Sequence, residues 1–67
     1  IALATNDALS GNAVSLATML TRKNVYFVPI AQDDSHNKPY SLVCDFNLVE
    51  QTIEKAMNGE QIQPLFF

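Results

Sequence analysis

The sequence predicts an α/β fold with a mainly parallel sheet. Three observations point there. A short apolar run, Ile1, Ala2, Leu3 and Ala4, has the composition of a strand buried on both faces of a parallel sheet. A polar turn and an amphipathic stretch follow it directly. Then Val25, Tyr26, Phe27 and Val28, β-branched or aromatic throughout, read as a second strand. Residues 1–28 thus make one β–α–β unit, whose crossover should be right-handed.

Each element has its own signal. Thr5, Asn6 and Asp7 break the first apolar run. Gly11 lets the backbone bend, and Asn12 or Ser10 caps the helix that follows. Ala13, Leu16, Ala17 and Leu20 keep the i, i+3, i+4, i+7 spacing of one buried stripe, broadened by Val14 and Met19. Arg22 and Lys23 fall in its last turn, where cations offset the negative helix end, and Asn24 suits the left-handed position after it. Pro29 ends the second strand or marks its edge, because it has no N–H to donate. Residues 31–39, AQDDSHNKP, have the composition of a polar surface loop. Residues 40–44 form a short extended piece, with Ser41 between apolar neighbours. Asn47 and Glu50 fit a capping box, and the helix after them buries Val49, Ile53, Ala56 and Met57. Asn58 and Gly59 stop it. The tail, with Leu65, Phe66 and Phe67, needs to dock, as an edge strand or as a subunit contact.

With 67 residues the chain supports one small core at most. One cysteine rules out an internal disulfide and fits a reducing compartment. The chain opens on Ile1 and directly on a strand. The expectation is therefore a piece of a longer protein, its C-terminal part, with residues 1–67 lying in a single domain. The alternative is a complete mini-domain stabilised by oligomerisation. A net charge of −3 with four scattered basic residues argues against a nucleic-acid partner. The longest apolar run, residues 25–31, is too short to span a bilayer.

The first place to look for chemistry is the end of the first strand. In open α/β sheets, ligands sit beyond the carboxyl ends of the strands. Thr5, Asn6 and Asp7 occupy such an end and are the candidate cofactor- or substrate-binding residues. An Asn amide both donates and accepts, and an Asp orients a ligand or acts as a base. The same residues are also ordinary turn formers that bond their own backbone. Amides near residues 11–14 offer an anion site, as every helix start does. The sequence contains no GxGxxG or P-loop fingerprint. Asp33 and Asp34 read as a solvated surface, and His36 has no partner at metal-ligand spacing, so no metal site is assigned. Cys44 reads as a small buried hydrophobe. No catalytic residue follows from the residues alone.

ATNDAL, KNVYFVPIAQDD, KPYSLV and QIQPL, in this order and spacing, resemble the family of dipicolinate synthase B subunits from spore-forming bacteria. The resemblance covers nearly the whole chain. It implies the C-terminal part of a flavodoxin-like (Rossmann-like) three-layer flavoprotein domain. It also implies an oligomer with FMN at subunit contacts, as in the related phosphopantothenoylcysteine decarboxylases and flavin prenyltransferases. Further implications are a dehydrogenase-like partner, the A subunit of dipicolinate synthase, that brings NAD(P)H, a role in dipicolinate biosynthesis, and a cytoplasmic place in the sporulating mother cell. In the decarboxylases a PAMN motif at a strand end helps to bind substrate. The matching residues here are ATND, which gives Asn6 that role, with Thr5 in place of the methionine and no proline before it. Cys44 lies where the decarboxylases carry a flap cysteine, but the glycines of that flap are missing and no role is carried over. Two other functions stay open at this point, a related FMN-dependent decarboxylase and a non-catalytic interaction module.

Overall fold

A computed structural model describes all 67 residues. The elements are β1 (Ala4–Thr5), α1 (Ala13–Leu20), β2 (Ile30–Asp34), β3 (Lys38–Cys44), a single 3-10 turn (Phe46–Leu48) and α2 (Val49–Met57). The sheet has the order β1-β3-β2, and both pairings are antiparallel. The expected mainly parallel sheet is therefore corrected.

The correction comes from residues 31–39. They are not a loop but most of a β-hairpin, with Ile30 opposite Cys44, Gln32 opposite Leu42 and Asp34 opposite Lys38. Its composition hid it, because Gln and Asp are poor strand formers and this strand runs out of the core into solvent. The Asp34 carboxylate closes the turn by accepting from the amides of His36 and Asn37 and from the Asn37 side chain. Asp33 instead forms an exposed ion pair with Lys38 at 3.6 Å.

Parallel contacts survive beside this sheet. Ile1 N donates to Tyr26 O, and Val28 N donates to Ile1 O, the slanted spacing of a parallel pair centred on Phe27. Ile30 is bridged in parallel to Phe66, so the tail docks as an edge. Residues 25–28 thus lie in the sheet region without forming a regular strand, and the regular strand begins after Pro29. Alternation slips there. Phe27 and Ile30 both face the C-terminal segment, whereas Val28 N and Pro29 O both face the side of β1 and β3. In a regular strand, residues three apart would face opposite edges. Proline, with no donor to lose, tolerates such a slip.

The core is Ala8, Phe27, Ile30 and Leu42, with Leu3, Leu16, Met19, Val25 and Leu65 packed against it. Cys44 is buried and unpaired, as read from its neighbours. Both helices are less covered than their spacing predicts. On α1, Leu16 and Met19 reach the core, but Ala17 is exposed and Leu20 is at the margin. On α2 the buried residue is Thr52, whose hydroxyl turns back to Leu48 O, while Ile53 and Met57 are 53% and 82% exposed. The first apolar run is not buried on both faces as expected: Ile1, Ala2 and Ala4 are exposed and Leu3 is half-buried. The accessible surface is 4616 Å². A compact monomer of 7.4 kDa would show about 4,200 Å². Exposed large apolar side chains, among them Ile1, Val14, Ile53 and Met57, contribute to that surface.

The helix ends are mostly as expected. Asn24 and Gly59 take left-handed conformations after α1 and α2, with φ of 62° and 74°. Arg22 and Lys23 are a correction: expected in the last turn of α1, they lie past its end, because the helix stops at Leu20. The start of α2 is a correction. The capping oxygen belongs to Asp45, whose side chain accepts from Asn47 N at 3.0 Å, and not to Asn47. The 3-10 turn between the two moves the cap upstream of the capping-box pattern. Asp45→Ala should lower stability by about 0.5–2 kcal/mol, the usual worth of a cap, and Asn47→Ala by much less. Urea denaturation midpoints of the two variants decide it, and a larger loss for Asn47→Ala would restore the capping box.

Candidate functional site

The chain turns sharply where β1 ends, and Asp7 organises the turn. Its carbonyl accepts from Ser10 N and Asn12 N, both at 3.0 Å. Its carboxylate oxygen Oδ1 accepts from the Thr5 hydroxyl at 2.8 Å and from Asn12 Nδ2 at 2.6 Å. Both side chains donate, so the charge on Asp7 is favoured, and its carboxyl titrates below the usual carboxylate range, chiefly through Thr5 and then Asn12. Asn12 sits at the cap position of α1 but makes no capping bond, because its side chain is turned to Asp7. Gly11 relieves crowding against this carboxylate. A Cβ at that position would lie 3.0 Å from Asp7 Oδ2.

Asn6 differs from its neighbours. It is exposed, and its contact is Ser41 Oγ at 3.5 Å. Thr5 and Asn12 also stand at the mouth of a cleft of about 230 Å³ between β1 and α1, walled by Leu3, Ala8, Leu16 and Phe27. The structure therefore brings Thr5, Asn6 and Asp7 together and divides their work. Thr5 and Asp7 bond each other and hold the turn, whereas Asn6 keeps most of its amide free. Asp7 is a poor candidate for a general base, since its proton affinity is lowered.

The expected anion site at the start of α1 is disfavoured, with two of its amides taken and a negative charge alongside. The amides of Asn12 and Ala13 already donate to Asp7 O and Ser10 O, and an ionised carboxylate stands beside them. Cys44 and His36 are not at this turn. Cys44 is buried at the other end of β3, and His36 is exposed at the hairpin tip. Two residues at the site had no clear sequence signal. Asn12 was visible as a cap but not as a ligand of Asp7. Ser41 stood out as a polar residue between Tyr40 and Leu42, yet nothing in the sequence placed it opposite the turn.

These features define the class: an α/β unit with a rigid polar turn closing its first strand and an exposed amide at the tip. No family model matches the chain. It is 43% identical over 65 residues to the B subunit of dipicolinate synthase from Bacillus subtilis (strain 168), an alignment that covers 97% of this chain and 32% of that protein. Its fold superposes on the crystal structure of the dipicolinate synthase B subunit from Bacillus halodurans with a TM-score of 0.95 and 39% identity, over 98% of this chain and 34% of the other. The resemblance to the dipicolinate synthase B subunit thus holds in sequence and in fold. The chain spans about a third of the length of both relatives.

Asp7 also gives the site a pH signature. Its folded-state pKa is lowered, so the unfolded chain binds the proton more readily. The stabilisation is present above the unfolded value and is lost as pH falls through the folded one. Asp34 is lowered as well, chiefly by the Asn37 amide, and acts in the same window. Stability should be flat near neutrality and fall from about pH 4 downward. Asp7→Asn should reduce that acid-limb slope, read from urea midpoints between neutral and acid pH. An unchanged slope would show that the Thr5–Asp7–Asn12 contacts do not hold the folded turn.

Proposed function

We propose that this chain is part of the B subunit of a dipicolinate synthase and serves in dipicolinate formation. The observation that carries this reading is the 43% identity running over 97% of the chain. A fold match of the same extent supports it. On this reading the full-length protein works with a dehydrogenase-like partner, the A subunit, which brings NAD(P)H, and assembles as a homo-oligomer in the mother cell during sporulation. No helix is long and apolar enough to cross a membrane. The exposed apolar faces of α1 and α2 are compatible with burial against further protein.

Within this reading, Asn6 is the residue of the turn that meets the ligand. It corresponds to the Asn of the PAMN motif, it is exposed, and no strong bond ties up its amide. FMN, which the resemblance implies, needs donors for its phosphate; at the start of α1 the amides of Asn12 and Ala13 are already paired and the Asp7 carboxylate stands beside them, which disfavours an anion at this turn. The chemistry that the turn offers is a neutral amide that donates and accepts at the end of the first strand.

The test uses the full-length protein together with its partner. Asn6→Ala should slow dipicolinate formation by about two- to tenfold, the worth of one neutral hydrogen bond, and by more if the partner group is charged. Its denaturation midpoint should hardly move, because no core packing is lost. Undiminished dipicolinate formation with a lowered midpoint would leave Asn6 as a turn residue.

A further inference from the structure

Ser41 is 3% exposed, yet its hydroxyl has no role in the core. An apolar residue would gain more from that burial, and a buried hydroxyl costs free energy unless it is bonded. Its partners are both in the turn, Thr5 O at 3.2 Å and Asn6 Oδ1 at 3.5 Å. The register explains the placement. Ala4 pairs with Val43 and Thr5 with Leu42, so the next rung sets Ser41 opposite Asn6. Leu9 N donates to Tyr40 O at 3.0 Å and ties the far side of the turn to the residue before Ser41. The turn is thus held from two sides. Asn12 on α1 fixes Asp7, and Ser41 on β3 reaches Asn6.

We propose that Ser41 is a positioning residue for Asn6. Its single hydroxyl proton, held in place by burial, is shared between Thr5 O and Asn6 Oδ1, which gives the Asn6 amide one preferred orientation and so presents its Nδ2 outward. An exposed Asn otherwise samples several rotamers, and ordering it on binding costs free energy that the serine removes in advance. The inference rests on the reading of Asn6 given above.

The experiment is a double-mutant cycle on the full-length protein together with its partner, read as the rate of dipicolinate formation, with denaturation midpoints alongside. Ser41→Ala should slow the reaction by about two- to tenfold in the native background. In the Asn6→Ala background it should slow it no further, since the group it positions is gone. A Ser41→Ala effect that multiplies in full with that of Asn6→Ala overturns the proposal, as does a silent Ser41→Ala beside an impaired Asn6→Ala. If Asn6→Ala is itself silent, the ligand role of Asn6 fails first and the proposal falls with it. Should Ser41→Ala unfold, Ser41→Cys, of similar size and with a weaker donor, takes its place in the cycle.

Discussion

The backbone of residues 26–30 is hydrogen-bonded along both edges, and the rest of the molecule is arranged around it. On one edge Tyr26 and Val28 bond Ile1, and Pro29 O accepts from Asp45 N. On the other, Ile30 bonds Leu65 and Phe67. Phe27 has no strand beside it there. The Gln61 side chain fills the gap, with Oε1 accepting from Phe27 N at 2.8 Å and Nε2 donating to Phe27 O at 2.6 Å. One amide side chain thus imitates a neighbouring strand. The requirement behind this is that buried backbone groups be paired. Phe27, Val28 and Ile30 are all within 4% of complete burial, so water cannot serve them.

From that segment the site follows. Ile1 is fixed beside it, which sets where the first strand ends. Leu3 O accepts from Cys44 N and locks β1 against β3. The turn of Thr5, Asn6 and Asp7 then stands at a defined place above the core residue Ala8. Its own bonds are short and charge-assisted around Asp7, which makes the turn stiff. Stiffness at Asp7 and freedom at Asn6 are complementary. A binding amide is most useful when its backbone is held and its polar atoms are not already satisfied.

Much of this was legible in the residues themselves. The helices, the extended piece ending at Cys44, the left-handed Asn24 and Gly59, and the polar turn at the end of the first apolar run all carry local signals. Propensity and spacing are enough to read them. What escaped was set by distant contacts. The hairpin strand at Gln32 and Asp33 exists because β3 pairs with it, against the preference of its own residues. The regular strands pair antiparallel because a short turn at Asp34 returns the chain beside β2, and parallel pairing is left to Ile1 beside Phe27 and to Phe66 beside Ile30. Asp45 outcompeted the capping box at Asn47 through a 3-10 turn that has no period of its own. Gln61 lies 34 residues from Phe27, and Ser41 lies 35 from Asn6, so neither partnership leaves a local trace. The helix faces were overread for another reason. Spacing reports amphipathicity and not which neighbour covers the apolar face, and Ile53 and Met57 stay exposed here.

The central claim is that residues 26–30 are held from both edges and that Gln61 completes the pairing at Phe27. Amide hydrogen exchange on the full-length protein tests it most directly. Phe27, Val28 and Ile30 should exchange among the slowest amides, far slower than those at the hairpin tip. Gln61→Ala should then accelerate exchange at Phe27 by about tenfold or more, because a buried donor left without its acceptor costs about 1–3 kcal/mol. Ile30, which is paired to Leu65 by backbone alone, should change less. Fast exchange at Phe27 in the native protein, or no acceleration in Gln61→Ala, would contradict the account.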